Sequence, residues 1–501
     1  MTWSIESPLF GRAALQPSHK VLGAQAASSV SERSAASGSP IAGRRLVPGA
    51  LGAVSRFAAS TADRFRGLRD SQHGRAGAQI FAARVLGAGL AYAAQVVAAR
   101  YLGQEGFGVY GLALIWLTLL GHLSVGGTNQ ALCRYVAQAL ATGDHATVRG
   151  FLRFGVAFAL IGGAVIGAVA VAVVLYVPRL VDGTYVLPLV IALLAVPLLA
   201  LQDNLEALAR SLGRPLLGIG PAYLIRHGVS IAVFAALAFS PVTPSPAVAL
   251  VGAIGSLMAG IAVQALLLRR AVRDAVPPGD ARYAVRHWLR TALPIALVDA
   301  SELMLLNADI LAVAFFLPPE TVALYFAVTR VTQMLEFVRY SASAATAPRF
   351  AALGATRQKG ELHRLIALVT LVTTAVILAG AIFLSVAAPY LLSLFGSGFA
   401  SAAWLVPILA SGMVVACVSG PGEDVLTMLG EERACAFSYA AALLLSISLL
   451  LWLVPALGLA GAALASAAAM ACRSLMLALY AYKRLGIILP LGLSGRQVHA
   501  G

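Results

Sequence analysis

Charge is what this 501-residue sequence has least of. Only 11% of its residues are charged, and its 21 Asp and Glu are outnumbered by 36 Lys and Arg. A soluble globular domain is about a quarter charged, so a water-exposed globule is excluded. Cysteine is scarce too: Cys133, Cys417, Cys435 and Cys472 lie in or beside apolar runs, without CxxC or Cys/His spacing. That excludes a disulfide framework and a zinc site, and the four read as buried small hydrophobes. No Walker A, HExxH or GxSxG occurs, and the 8 histidines are scattered. The common nucleotide, zinc-hydrolase and serine-hydrolase chemistries therefore have no motif here, and no metal or cofactor is called for. What is abundant is apolar: 59% hydrophobic residues, mean hydropathy +0.85 and 48 glycines. This composition describes an all-α polytopic membrane protein.

A hydrocarbon core about 30 Å thick needs roughly 20 apolar residues per helix. Read for that length, the chain offers twelve spans: 78–99, 107–127, 154–177, 185–204, 215–239, 246–268, 291–316, 322–346, 365–388, 402–421, 433–454 and 459–481. Spans four and ten are the weakest, each with an internal proline and an acidic end. Arg269, Arg270, Arg273, Arg282, Arg286 and Arg290 lie between spans six and seven, and Arg349, Arg357, Lys359 and Arg364 between eight and nine. Loops of the other parity are nearly bare, such as "SPVTPSP" at 240–246. The positive-inside rule puts the basic loops and both termini in the cytoplasm.

Residues 1–75 are rich in Ala, Ser, Gly and Arg and hold no apolar run of spanning length. They are expected to form a disordered cytoplasmic tail. The same composition suits an organellar transit peptide, and a mis-called translation start would also produce it. No cleavable signal precedes span one, so the first helix is expected to direct insertion. The expected layout is a six-helix lobe at 76–270, a basic cytoplasmic loop at 271–288, a second six-helix lobe at 289–485 and a tail at 486–501. The net charge of +15 reads as topology and anionic-lipid contact, not nucleic-acid binding.

The halves repeat. "YLGQEGFGVY" at 101–110 and "FLPPETVALY" at 316–325 share Leu102 and Leu317, Glu105 and Glu320, Tyr110 and Tyr325, all at an offset of 215. "EALARSLG" from Glu206 and "EDVLTMLG" from Glu423 align at 217. Six spans separate the copies, so the repeat is parallel, with its pseudo-two-fold axis along the membrane normal. The two decapeptides read as the outer turns joining spans one and two, and seven and eight. Glu105 and Glu320 fit turn ends better than catalytic acids, and Glu206 and Glu423 fit helix ends near cytoplasmic turns.

"AARYLGQEGFGVYGLALIWLTLL", followed by "GGTNQALCRYVAQALATGD", resembles the first two helices and amphipathic cytoplasmic connection of bacterial polysaccharide-unit flippases. These, of the O-antigen and exopolysaccharide type, belong to the multidrug/oligosaccharidyl-lipid/polysaccharide exporter superfamily. "LFGSGFASAAWLVPILASG" and "LVPALGLAGAALASAAAMACRSLMLALY" look like that family's closing helices. The resemblance covers about 75–485. It implies two six-helix lobes around a central cavity that opens alternately to each face of the bacterial inner membrane. It also implies a polyprenyl-diphosphate-linked oligosaccharide as substrate, H⁺ or Na⁺ as coupling ion, and a polysaccharide polymerase and export machinery as partners.

An ionisable side chain within a span is a functional candidate by default. Arg226 and His227 sit midway along span five in "YLIRHGVSIAV", Arg84 lies in span one, Arg330 in span eight and Arg473 in span twelve. Arginine grips phosphate oxygens bidentately and stays ionised, so these are the candidate substrate-binding residues for a diphosphate. Snorkelling to the interface is the competing reading for Arg84 and Arg473, and the preferred one for Arg339. For Arg226 the competitor is an interhelical ion pair, and for His227 an interhelical hydrogen bond.

Asp299, Glu302 and Asp309 of span seven are spaced to share one helical face, which is expected to line the interior. With Glu336 of span eight they form the candidate ion-coupling set. Alternatively they serve a salt-bridge gate, Arg84 with Asp299 or Arg226 with Glu302. Pro197, Pro221, Pro294 and Pro407 are expected to kink or break their spans. Gly163 and Gly167 form a GxxxG packing pair. A cation-coupled multidrug exporter is the alternative function. It is weakened because the first span's only charge is Arg84 and kept alive by the acids of span seven. A membrane-embedded glycan polymerase or ligase is more remote, because the loops on the outer side are all short.

Overall fold

The computed structural model of the chain describes residues 72–177, 181–356 and 358–487. The expected tails at 1–75 and 486–501 fall almost wholly outside them. Among the described residues every regular element is helical, with no strand. The helices are α1 (Gln72–Val125), α2 (Thr128–Ala141), α3 (His145–Tyr176), α4 (Gly183–Leu194), α5 (Val196–Ser211), α6 (Pro215–Ile219), α7 (Arg226–Ala238) and α8 (Pro246–Ala275). They continue with α9 (Val285–Phe316), α10 (Pro319–Thr332), α11 (Glu336–Ala355), α12 (Lys359–Ser393), α13 (Leu405–Val418), α14 (Gly422–Met428), α15 (Glu432–Leu457) and α16 (Leu459–Tyr480).

Nine helical stretches among the described residues are long and apolar enough to cross a bilayer. The first, Gln79–Val125, has 47 residues, or about 70 Å at 1.5 Å per residue, more than twice a hydrocarbon core. It is two spans. Gly103 divides them with φ 71° and ψ −176°, a backbone that residues with a Cβ rarely adopt. Residues 285–316 and 319–355, which carry the charged positions of spans seven and eight, bring the layout to twelve helices in two lobes.

Three spans depart from simple rods. Span four is broken at Ala195, because Pro197 takes a first-turn position of α5, where its missing N–H costs nothing. Pro221 lies in a π-helical segment, Gly220–Ile225, that leads into α7. Span eight passes through a 3₁₀ turn, Gln333–Leu335, between α10 and α11. Pro294 is carried inside α9. Between spans two and three, α2 lies with Ala131, Leu132, Val136 and Ala139 buried, the apolar face expected of an amphipathic connection.

Glycines set the close approaches. A Cβ on Gly163 would come within 2.5 Å of Pro197 Cα, and one on Gly167 within 2.6 Å of the Leu193 carbonyl oxygen. The GxxxG pair is thus the seat on which the broken fourth span rests. The two repeat-related turns meet each other: Gly108 abuts the backbone of Pro319 and Ala323. Around them Phe107 packs on Phe326, Phe395 and Phe399, with ring centroids 5.4, 5.8 and 6.0 Å apart. Tyr92 donates to the Leu391 carbonyl at 2.9 Å, and Arg100 Nε to the Leu394 carbonyl at 2.7 Å. At this hairpin end the lobes are sealed by aromatic packing and by side-chain hydrogen bonds to backbone carbonyls.

At the other end the inter-lobe loop is strapped to the first lobe. The Arg282 amide donates to the Ala146 carbonyl at 2.9 Å, and its guanidinium reaches Asp144 and Thr147. Arg149 donates to the carbonyls of Asp280 and Pro277. Trp288, 1% exposed, is sunk between Phe151 and Phe154. The first turns of α9 therefore rest on the first lobe, while Asp309, near its far end, bonds the second.

Candidate functional site

The polar interior is built from side chains that the helices cannot turn toward lipid. In the first lobe Arg226 opens α7 and donates from Nη1 to Gln202 Oε1 of α5 at 3.2 Å. Gln202 is 3% exposed and its own Nε2 finds no acceptor. His227 takes part in no side-chain hydrogen bond among the described residues. Arg84 lies with its guanidinium carbon 4.5 Å from the ring centre of Tyr340, in the second lobe, and 5.9 Å from that of Tyr223, in the first. It spans the gap between lobes on two aromatic faces, a cation–π arrangement, and its Nε is buried without a partner.

The second lobe holds the other two arginines. Arg330 stacks over Phe326 at 4.3 Å and donates to Gln333 Oε1 at 2.9 Å. Arg473, 4% exposed, stands 5.0 Å from the Tyr439 ring centre. Both leave a buried Nε unpaired. Tyr439 in turn donates to Glu302 Oε1 at 3.5 Å, so α9, α15 and α16 meet around this one ring. Among the described residues, none of Arg84, Arg226, Arg330 and Arg473 forms an ion pair with a carboxylate.

That result corrects the gate expected from spacing. Neither Arg84 with Asp299 nor Arg226 with Glu302 forms an ion pair, because tyrosines and an amide already occupy the two guanidiniums. The face shared by the acids of α9 is also divided by its surroundings. Asp299 makes no side-chain hydrogen bond among the described residues. Asp309 is 8% exposed and accepts 2.8 Å hydrogen bonds from the Tyr325 and Ser466 hydroxyls, besides its contact with the Ile310 amide. It pins α9 to α10 and α16 instead of facing a cavity. Arg339 does not snorkel free: its Nε meets Glu336 Oε2 at 3.0 Å and its Nη1 meets Glu423 Oε2 at 3.5 Å. Glu336 and Glu423 thereby join one charge cluster, and Glu423 does more than end a helix.

Sequence reasoning passed over three polar residues of this interior: His122, Asp203 and Tyr439. His122 Nε2 lies 3.3 Å from Asp203 Oδ2. The signal was present only in part: His122 and Asp203 are ionisable groups within spans two and four. No group of three or more His, Cys, Asp or Glu among the described residues could hold a metal ion, and the four cysteines are free.

A family model described as "Polysaccharide biosynthesis protein" matches residues 75–353, from the first span to the end of the eighth. The chain belongs to this polysaccharide biosynthesis family. No curated protein matches it. Its fold is that of transporters in the MOP superfamily. A structure described as the inward-facing conformation of a multidrug resistance MATE family transporter of that superfamily aligns with a TM-score of 0.67 at 15% identity, covering 80% of this chain and 94% of the other. A second, of MATE in the bent conformation, aligns at 0.57 and 16% identity over 84% and 97%. A third, a MOP superfamily transporter from Pyrococcus furiosus described as having a binding pocket of reverse polarity, aligns at 0.60 and 15% identity over 81% and 94%. The family model ends within α11, so the second lobe's place in the fold rests on the structural likeness.

Proposed function

We propose that this member of the family is a flippase. It moves an anionic, lipid-diphosphate-linked oligosaccharide from the cytoplasmic to the outer leaflet of the bacterial inner membrane, by alternating access coupled to an ion gradient. One observation carries the reading: four arginines set in membrane helices, two in each lobe, have no carboxylate partner among the described residues. A charged side chain at a helix centre costs about 2.5–3.5 kcal/mol on insertion scales. Such a cost is ordinarily offset by an ion pair, and here amide oxygens and aromatic faces hold the guanidiniums instead. A diphosphate supplies the missing charge, and stacked guanidiniums with a free Nε keep donors available for it.

Arg226→Ala is expected to lower translocation of a lipid-diphosphate oligosaccharide at least tenfold, which is about 1.4 kcal/mol of lost binding, with the protein's membrane level unchanged. Retained translocation would remove the cationic-interior argument. For coupling, Asp299→Asn and Glu302→Gln, singly and together, are expected to weaken the dependence on a proton or sodium gradient. If the response to uncouplers is unaltered, that role fails. The acids of α9 also favour a second reading, cation-coupled drug export, which efflux of a cationic dye by the purified protein in liposomes would reveal. A polymerase and export machinery are the partners expected to consume the flipped product.

A further inference from the structure

Each lobe holds a charge clamp. In the second lobe Arg339 reaches Glu423 in the first turn of α14. In the first lobe His122 of the second span faces Asp203 of α5, with Nε2 and Oδ2 3.3 Å apart. Arginine never gives up its proton in a protein, whereas histidine does so near neutral pH.

The His122 ring is oriented by its other nitrogen. Nδ1 lies 2.7 Å from the Thr118 carbonyl oxygen, which can only accept, so Nδ1 carries a hydrogen. Nε2 then presents either a lone pair or a second N–H to the Asp203 carboxylate. Oδ2 of Asp203 is buried and finds no aligned hydrogen-bond donor elsewhere. A lone pair facing a carboxylate oxygen at this distance is repulsive, and a single proton on either group relieves it.

The surroundings leave that proton unbalanced. Glu206 and Arg210 stand on the same helix as Asp203, with Arg226 and Tyr223 from the fifth span, Arg84 from the first and Asp299 from α9. Three carboxylates here match three guanidiniums, so a proton on the pair adds one net positive charge to the first lobe. With a side chain 35% exposed, His122 is open to exchange, against 16% for Asp203.

We propose that His122 and Asp203 form a proton-binding site in the first lobe, in contrast to the permanent Arg339–Glu423 clamp in the second. As a coupling site it rests on the transporter reading, and as a proton site it stands without it. The test is imidazole NMR of the full chain in lipid nanodiscs, with the His122 signal identified by its loss in His122→Gln. The midpoint of that signal is expected to move in Asp203→Asn and to be kept in Asp203→Glu. A midpoint that Asp203→Asn leaves unmoved overturns the site. His122→Arg, a permanent cation, is expected to abolish the response of oligosaccharide translocation to external pH. An unchanged response overturns the coupling role. A wild-type protein that titrates as expected but never translocates overturns the transporter reading alone.

Discussion

Asp299, Glu302 and Asp309 look alike in the sequence, three acids on one helical stripe, yet their neighbours give them different work. Asp309 accepts from two hydroxyls and is nearly sealed from solvent, so its carboxylate is a packing element of the second lobe. Truncating it strands the Tyr325 and Ser466 donors in the interior, at about 1–3 kcal/mol for an unsatisfied buried group. Asp309→Ala is therefore expected to lower the melting temperature of the purified protein, and Asp299→Asn to leave it within experimental scatter. Equal melting of the two variants would contradict the division. Periodicity could place these acids on one face. It could not say which of them would meet hydroxyls, because Ser466 is 157 residues away from Asp309 along the chain.

Among the elements, the two repeat-related turns depend on glycine. Gly108 has no room for a side chain: a Cβ would lie 1.9 Å from the Pro319 carbonyl oxygen. Gly108→Leu must push the two hairpins apart, an overpacking cost of about 1–3 kcal/mol, and is expected to reduce both thermal stability and membrane level. At the opposite end Asp144 caps α3. The hydroxyl and amide of Thr147, and then Arg282, stabilise its carboxylate and hold its pKa below the ordinary aspartate value. A depressed folded pKa contributes stability that is complete above about pH 3.9, the unfolded value, and is lost as the pH falls through the folded one. The loop strap is accordingly expected to hold through neutral pH. Hydrogen exchange across 277–284 should rise in Asp144→Ala at pH 7 but not in wild type, and equal exchange would show the strap to be held by other contacts.

At the scale of the whole molecule, the lobes are joined at the hairpin end by Phe107, Tyr92 and Arg100 against the C-terminal end of α12 and the residues after it. The proposed alternating access requires that seal to open. In a background without the native cysteines, Arg100→Cys with Ser393→Cys is expected to react with a short bifunctional maleimide in the resting protein and to block translocation. Free turnover after complete cross-linking would place the moving seam elsewhere. The straps at the other end, from Arg282 and Trp288, tie the start of α9 to the first lobe. Beyond that anchored start, Pro294 inside α9 removes one helix hydrogen bond.

Much of this protein was determined by its sequence alone. Twelve spans, the basic loops and the duplicated turns followed from local properties: apolar length, charge parity and a repeated pattern at a constant offset, while the family followed from the resemblance carried by "AARYLGQEGFGVYGLALIWLTLL" and the segment after it. Those properties depend on the bilayer and on nearest neighbours along the chain, so no folded partner was needed to read them. Only the tertiary structure decided who meets whom across helices. Arg84 rests on two tyrosines from different lobes instead of on Asp299, Arg339 is caught by Glu336 and Glu423, and His122 finds Asp203. A membrane helix displays its polar groups on a face whose partners come from distant segments. The choice between an ion pair, a stacked ring and a shared proton is settled by which of those segments packs close enough to reach.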